Sequence, residues 1–334
     1  MVVRRLVVCC GVLLALLAGA TTAEETGGAS WTVFLNGVKR DAMAAGVAPE
    51  VLNGALGALE PDPRVLGFDR KQPEFVQTME QYLNARVTES RISAARRHFV
   101  EHRELLDRIG ERYGVDPQFI VAFWGVESSF GRYQGKYSIV RSVATLAHDQ
   151  RRSAFFRKEL LHALAILDEG HVPLERFVGG WAGAMGQNQF MPSSFRRYAQ
   201  DFDGDGRKDI WQNRADVWAS IAYYLAEYKW REGEPWGFRV ALPEAFLFER
   251  VARSDSVTRC RAELSHSAPA DLATWRARGF DVPVGAASMR LLKPERGADH
   301  SYMAAANFEV ILRYNCANKY AISVGLLADA IIVN

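Results

Sequence analysis

The sequence predicts a mainly α protein of the α+β class: a helical N-terminal domain, a helical core, a small β-containing insert and a closing helical segment. Three observations carry this. Apolar residues recur at spacings of three and four through "WTVFLNGVKRDAMAAG", "PEFVQTMEQYLNAR" and "SRISAARRHFVEHRELLDRIGERYG", broken by Gly and Pro. The same spacing returns at the end, in "NFEVILRYNCANKYAISVGLLADAIIV". Between them, from Trp230 to about His300, Pro235, Pro243, Pro283 and Pro294 separate short β-prone pieces such as "FRVAL" and "SMRLLK". A chain of 334 residues, 49% apolar and 24% charged, is long enough to bury such a core, and disorder is not expected.

The opening residues, "MVVRRLVVCCGVLLALLAGATTAEE", combine a basic start (Arg4, Arg5), an apolar run from Leu6 to Ala18 and Ala-x-Ala-like sites ending at Ala20 and Ala23. They read as a secretory signal peptide over residues 1–23, because the run is too short to span a bilayer. An uncleaved N-terminal anchor is the competing reading. A lipoprotein would need a cysteine where Ala20 follows Gly19. The expectation is an exported periplasmic protein with no transmembrane span in the mature chain. Loss of Arg4 and Arg5 takes the formal charge from +2 to 0, leaving no basic excess to attract nucleic acid. Of four cysteines, Cys260 and Cys316 remain after the leader. They form either a bridge, worth about 4 kcal/mol at most by loop entropy, or two unrelated buried thiols.

The N-terminal helical domain is expected over 24–115. The core, 116–232, starts with Asp116 and Pro117 as cap and first position of a helix running through "IVAFWGVESSFG" to Gly131. Further helices are expected over Ser153–Asp168, Ser193–Ala199 and Ala215–Lys229. The β-containing domain occupies 233–303, and a helical segment, 304–334, packs back on the core.

Glu127 ends an aliphatic and aromatic run. On a helix its face is shared by Trp124, Phe123 and Ile120, so the carboxyl faces apolar groups and its pKa should rise, as a general acid near neutral pH requires. A structural glutamate capping the helix or pairing with Arg132 fits this stretch equally well. Further on, "FVGGWAGAMGQNQFMPSSFRRYAQDFDGDGRKDIW" puts Gly179, Gly180, Gly183 and Gly186 beside Gln187, Asn188, Gln189, Trp181 and Phe190. Glycines let backbone approach a ligand, and apolar faces flanked by amides suit sugar rings.

Taken in order, "GVESSFG", "GGWAGAMGQNQFMPSS", "DFDGDGRKDIW" and "NFEVILRYNCANKYA" resemble the membrane-bound lytic murein transglycosylase B family of bacterial cell-wall enzymes, over nearly all of the mature chain. The resemblance implies a lysozyme-like helical core with a glycan groove and one catalytic acid, Glu127. That acid would protonate the glycosidic oxygen between N-acetylmuramic acid and N-acetylglucosamine. It would then accept the proton of the muramyl C6 hydroxyl as that oxygen attacks C1, leaving a 1,6-anhydromuramyl end. It also implies groove residues Tyr82, Gln189, Phe190, Tyr224, Tyr314, Asn315 and Tyr320, with peptidoglycan strands as partner, wall-synthesis proteins as further candidates and no organic cofactor. Two positions depart from the family pattern: Gly180 and Ala317 stand where Ser is usual, which removes two hydrogen bonds to sugar or backbone.

"DFDGDGRKDIWQ" has carboxylates at its first, third and fifth positions, Asp201, Asp203 and Asp205, and glycine at the sixth, like an EF-hand calcium loop. Its twelfth residue is Gln212 rather than Glu. The resemblance implies a longer loop closed by Asp216, with the Arg207 carbonyl contributing, and a structural Ca2+. A solvated acidic turn holding Arg207 or Lys208 is the plainer alternative, set against the mutual repulsion of three acids. Competing functions are a hydrolytic muramidase using Asp149 or Asp168 as second carboxylate, a catalytically silent glycan-binding scaffold, and a calcium-regulated interaction protein.

Overall fold

The computed structural model describes residues 22–70, 77–149, 151–253, 260–283 and 287–333. The expected leader lies outside these residues, apart from Thr22 and Ala23, which open the first helix.

Among the described residues the N-terminal third is built from helices alone: α1 Thr22–Ala44, α2 Pro49–Leu56, α3 Pro63–Arg70, α4 Met79–Arg86, α5 Glu89–Glu101 and α6 Arg103–Tyr113. In α1 the apolar stripe is Trp31, Leu35, Val38 and Ala42, all buried, at the spacing that turns one helical face inward. Helix α4 is started by a reciprocal capping box between Thr78 and Gln81. Gly114, left-handed at φ 64°, ends α6.

The central helix α7, Pro117–Ser128, has Pro117 in its first turn. Asp116 precedes it, but its carboxylate does not cap the helix. It accepts instead from Trp230 Nε1 (2.9 Å) and the Gly233 amide (3.1 Å). Every residue from Phe119 to Val126 is buried, so α7 is enclosed on all sides, by α5 and by two later helices. The expected end at Gly131 falls three residues too late. Ser129, Phe130 and Gly131 are all left-handed, at φ 49°, 61° and 81°, and this turn folds the Phe130 ring back onto Trp124, with centroids 5.3 Å apart. A Cβ on Gly125 would lie 2.7 Å from that ring, so only glycine allows the fold-back.

The core continues with β1 Tyr137–Ser138, α8 Ile139–His148, α9 Ser153–Asp168, β2 Val178–Gly179, α10 Pro192–Tyr198 and α11 Arg214–Glu227. Strands β1 and β2 pair antiparallel, and α11 packs on α7. The insert contributes β3 Gly237–Ala241, α12 Leu272–Ala277, β4 Arg290–Leu291 and β5 His300–Ala304, and the chain closes with α13 Ala306–Tyr314 and α14 Asn318–Ile332. The insert sheet has the order β3–β5–β4, all antiparallel, over its own small core of Val240, Trp275, Phe280, Leu291 and Met303. The two β-prone pieces read from sequence are its outer strands. The middle strand, β5, went unread because "HSYMA" has no alternation: its last four residues are all buried.

Helix α14 packs along α7. The single closing segment expected from sequence is therefore two helices, broken at Asn315–Ala317. That break is where Cys316 bonds Cys260 of the insert, with Cα atoms 5.5 Å apart, which settles the choice between bridge and free thiols. A second tie lies beside it: Asn318 Oδ1 accepts from His266 Nε2 (2.9 Å) and Asn318 Nδ2 donates to Ser265 Oγ (2.8 Å).

Ala317 is the N-cap of α14 and supplies no side-chain hydrogen bond. The serine missing there is thus a missing helix cap. Ala317→Ser should restore it, stabilising the protein by about 1 kcal/mol and raising Tm by about 2 °C for a chain of this size. Scanning calorimetry checks this, and an unchanged or lower Tm would count against the assigned cap.

Candidate active site

Glu127 stands in the last turn of α7, half-buried, above the buried face formed by Ile120, Phe123 and Trp124. Tyr320, two residues into α14, donates its hydroxyl to Glu127 Oε1 at 2.6 Å. Burial raises the Glu127 carboxyl to about 7, opposed by the Tyr320 hydrogen bond and by the positive charge of Arg86. Burial, with Glu127 beside it, holds the Tyr320 hydroxyl well above its ordinary range, so it remains a donor.

A layer of aromatic side chains lies beside this pair. Phe123 meets Tyr314 at 4.8 Å and Tyr320 at 6.3 Å between ring centroids, Tyr314 meets Tyr224 at 4.7 Å, and Phe190 meets Tyr314 at 5.6 Å. The hydroxyl of Tyr314 donates to the Asn188 carbonyl (2.7 Å), and that of Tyr224 to the Arg313 carbonyl (2.5 Å). Phe190 and Tyr224 are buried. Both were expected to face sugar, yet they leave almost no surface for one; they back Tyr314 and fix its position. Tyr82, Gln189 and Asn315 keep solvent access, with Asn315 the most exposed.

Gly179 through Phe190 form a tight hairpin in which Met185 and Phe190 exchange backbone hydrogen bonds. A Cβ on Gly179 would sit 2.1 Å from the Ala184 carbonyl, and Gly186 has φ 63°. Gln189, also left-handed at φ 52°, is held by donating Nε2 to the Gly186 carbonyl (2.9 Å) and the Gln134 carbonyl (3.2 Å). The amide of Gln187 and the donor side of the Asn188 amide, read from sequence as ligand groups, are used internally, while Asn188 Oδ1 is buried with no partner among the described residues. Gln187 accepts from Trp124 Nε1 (2.6 Å) and donates to the Trp211 carbonyl (2.7 Å), and Asn188 donates to the Val217 carbonyl (2.8 Å). They tie the hairpin to α7 and α11.

The sequence reading missed Arg86. It stacks on the Tyr82 ring at 5.4 Å and is the cation that acts on Glu127. The signal was there, because position 86 follows Tyr82 by one helical turn in "EQYLNAR".

In the acidic loop, ligand oxygens of Asp201, Asp203 and Asp205 lie within 4.8 Å of one another. Asp201 accepts from the amides of Gly204 (2.8 Å), Asp205 (3.1 Å) and Gly206 (2.8 Å), so the loop curls around its own first carboxylate. Asp216 is not in this converging group. It is buried in the first turn of α11, where its two oxygens accept from the Phe202 and Asp209 amides, each at 2.8 Å, clasping the loop at both ends. Burial, followed in the same direction by the charges of Asp203 and Asp201, raises it to about 6. Three convergent hard oxygen donors suit a divalent cation such as Ca2+, whose charge would relieve that repulsion. The plainer turn is not favoured, since Asp205 receives only the backbone amide of Arg207 (2.8 Å).

A family profile described as "Transglycosylase SLT domain" matches residues 30–329. The chain belongs to the transglycosylase SLT domain family. Membrane-bound lytic murein transglycosylase B of Escherichia coli K12 is 33% identical over 239 residues, covering 69% of this chain and 61% of that protein. The chain thus spans about three fifths of the length of this relative. Among solved structures, SltB3 from Pseudomonas aeruginosa in complex with NAG-NAM-pentapeptide has a TM-score of 0.83 at 36% identity, covering 91% of this chain and 80% of SltB3. Escherichia coli Slt35 in complex with calcium has a TM-score of 0.73 at 27% identity, covering 90% and 92%. The fold is accordingly the lysozyme-like one of the SLT domain family.

The carboxylates that a two-acid hydrolytic site would need are engaged elsewhere. Asp149 lies against Arg151, and Asp168 caps the Ala48 amide at the start of α2 (2.9 Å). Among the described residues no second carboxylate contributes to the titration of Glu127.

Because Glu127 is held near 7 against an ordinary 4.5, ionising it costs more in the folded than in the unfolded chain. Folding stability is therefore lost as pH rises from about 4.5 to about 7. Glu127→Gln cannot ionise, so its Tm should match the wild type at pH 5 and exceed it at pH 8. A variant less stable at pH 8 would contradict the raised carboxyl.

Proposed function

We propose that this protein is a peptidoglycan lytic transglycosylase with Glu127 as its sole acid and base. The observation that carries the reading is the half-buried carboxyl, protonated near neutral pH and held by the Tyr320 hydroxyl, with no second carboxylate acting on it among the described residues. Membership of the SLT domain family and the sugar-bound SltB3 relative support the substrate class.

The steps balance on one residue. Protonated Glu127 gives its proton to the glycosidic O4 as the muramyl C1–O4 bond breaks, and the N-acetylglucosamine end leaves as an alcohol. The positive charge developing at C1 is met by the carboxylate just formed and, as the chemistry allows, by the substrate's own N-acetyl oxygen. The muramyl O6 then attacks C1, and its proton returns to Glu127. No water is consumed. Tyr320 holds one carboxyl oxygen still, leaving the other for the substrate. Tyr314 presents a ring backed by Phe190 and Tyr224, while Tyr82, Gln189 and Asn315 offer the solvent-facing edges.

Products from purified sacculi should carry 1,6-anhydromuramyl ends, each lighter by one water than the hydrolytic product. Activity should fall as pH rises through about 7, where Glu127 loses its proton, and Glu127→Gln should release about a thousandfold less material or below. Mass spectrometry decides: reducing muramyl ends alone would mean hydrolysis by an activated water, and undiminished release by the variant would mean another acid.

The acidic loop binds Ca2+ through Asp201, Asp203 and Asp205, with the Arg207 carbonyl adding an oxygen and Asp216, whose two oxygens accept from the Phe202 and Asp209 amides, holding the loop in place rather than completing the set; the calcium complex of Slt35 supports this. The ion neutralises the clustered charge and firms the hairpin-to-α11 connection. Saturating Ca2+ at a hundred times its Kd should add about 2.7 kcal/mol of stability, read as a Tm rise that chelator removes and that Asp203→Asn abolishes, with little change in activity below Tm. The protein acts in an oxidising compartment, the periplasm, in keeping with the Cys260–Cys316 bridge and the leader-like N-terminus.

A further inference from the structure

Helices α5 and α6 meet at a joint that carries "HFVEH", His98 to His102. The two histidines are one helical turn apart, the separation at which a pair of imidazoles on one face holds a zinc ion, and Glu101 lies between them in the chain. The fold brings all three together, with one ligand atom from each within 4.8 Å of the other two. Glu101 reaches both rings: its Oε2 is 3.8 Å from His98 Nδ1 and its Oε1 is 3.7 Å from His102 Nε2. Ligand atoms around a tetrahedral Zn2+ stand about 3.4 Å apart. Each carboxylate–imidazole gap therefore needs to close by only a few tenths of an ångström to seat an ion.

Two further observations call for a cation at this place. His98 Nδ1 is buried and makes no hydrogen bond, a state that costs free energy and that a metal bond would relieve. His102 Nε2 turns its lone pair toward a positive charge: Arg214 Nη1 lies 3.1 Å away, and a guanidinium can only donate. The nitrogen is thus an unprotonated acceptor with a cation already beside it. That cation comes from an exposed side chain at the first position of α11, free to swing into solvent. Aromatic packing holds both rings in place. His98 rests on Trp124 and Phe130, with centroids 4.9 and 5.1 Å away, and His102 on Trp218 at 5.3 Å. The two imidazoles are about one fifth exposed and Glu101 is 61% exposed, so an ion has a path from the carboxylate side. Two imidazoles and one carboxylate favour Zn2+ over Ca2+ or Mg2+, which take oxygen ligands, and three protein ligands leave a fourth position for water.

We propose that His98, Glu101 and His102 form a Zn2+ site, separate from the acidic loop, in which the ion displaces the Arg214 guanidinium and fixes the α5–α6 joint against Trp124 of α7 and Trp218 of α11. The site takes no part in sugar chemistry and stands whether or not the transglycosylase reading does.

The experiment is isothermal titration of the whole mature protein with ZnCl2, with Ca2+ in excess to keep Zn2+ off the acidic loop, together with Tm measured with and without Zn2+. One equivalent should bind with micromolar affinity or better and raise Tm, and a chelator should reverse the rise. The double variant His98→Gln/His102→Gln should lose both effects. Glu101→Gln, a change at an exposed side chain that leaves the fold intact, should weaken binding about tenfold or more, as loss of even an outer partner of a metal ligand does. Arg214→Ala should bind Zn2+ more tightly than the wild type, because the competing cation is gone; a chance pair of surface histidines would not respond in this way. Absence of binding, binding that survives in the double variant, or an Arg214→Ala variant no tighter than the wild type would overturn the site. If the double variant does not fold, Glu101→Gln and Arg214→Ala decide the matter by themselves.

Discussion

The structure turns on one hydrogen bond, from the Tyr320 hydroxyl to Glu127 Oε1 across the interface of α7 and α14. A carboxyl left among apolar groups would protonate and rotate, whereas one paired with an arginine would ionise and stay ionised. A neutral donor that is itself too buried to ionise does neither. It fixes the carboxyl in place while subtracting only part of the upward shift that burial imposes, so the group titrates near the pH at which it must both give and take a proton. Everything else serves to bring two helices, remote in sequence, within 2.6 Å at that point.

How they come so close follows from small residues and internal tethers. Gly125 on α7 and Gly325 on α14 mark where side chains from elsewhere press in, Phe130 on the first and Trp236 on the second, at distances no Cβ would permit, with Leu327 tight against the first as well. The end of α14 that carries Tyr320 lacks a side-chain cap, and the fold makes up for it by pinning the preceding turn to the insert through Cys316–Cys260 and Asn318. The β-containing insert is thus more than a groove wall: it holds the turn that displays Tyr314 and Asn315. On the opposite side the glycine hairpin uses nearly all its amides on itself and on α7 and α11, which makes it a rigid frame rather than an adaptable ligand-binding loop.

Much of this was legible in the chain. The helical thirds follow from apolar spacing, and α9 follows residue for residue, because local periodicity and capping decide a helix. Glu127 stood out because its helical face is shared by Ile120, Phe123 and Trp124, although that stretch fitted a structural glutamate equally well. The calcium-type loop was visible in "DFDGDG", since its hydrogen bonds lie within a few residues of one another. What could not be read is what depends on distant partners: the left-handed turn at Ser129–Gly131, set by Phe130 returning to Gly125, and the middle strand β5, which is buried and so shows no alternation.

The same division runs through the site. Residue types and spacing offered one acid on an apolar face and a glycine-rich, amide-bearing stretch suited to sugar rings, while the cleaving role and the set of tyrosines came from the resemblance of whole motifs to a known family. Tertiary structure decided their duties. Only packing could bury Phe190 and Tyr224 behind Tyr314, spend Gln187 and Asn188 on the frame, bring Arg86 to bear on Glu127 and join Cys260 to Cys316. Each of those assignments depends on which groups meet across the folded core, and the energy of such a meeting is set by distance and burial that no local stretch of sequence contains.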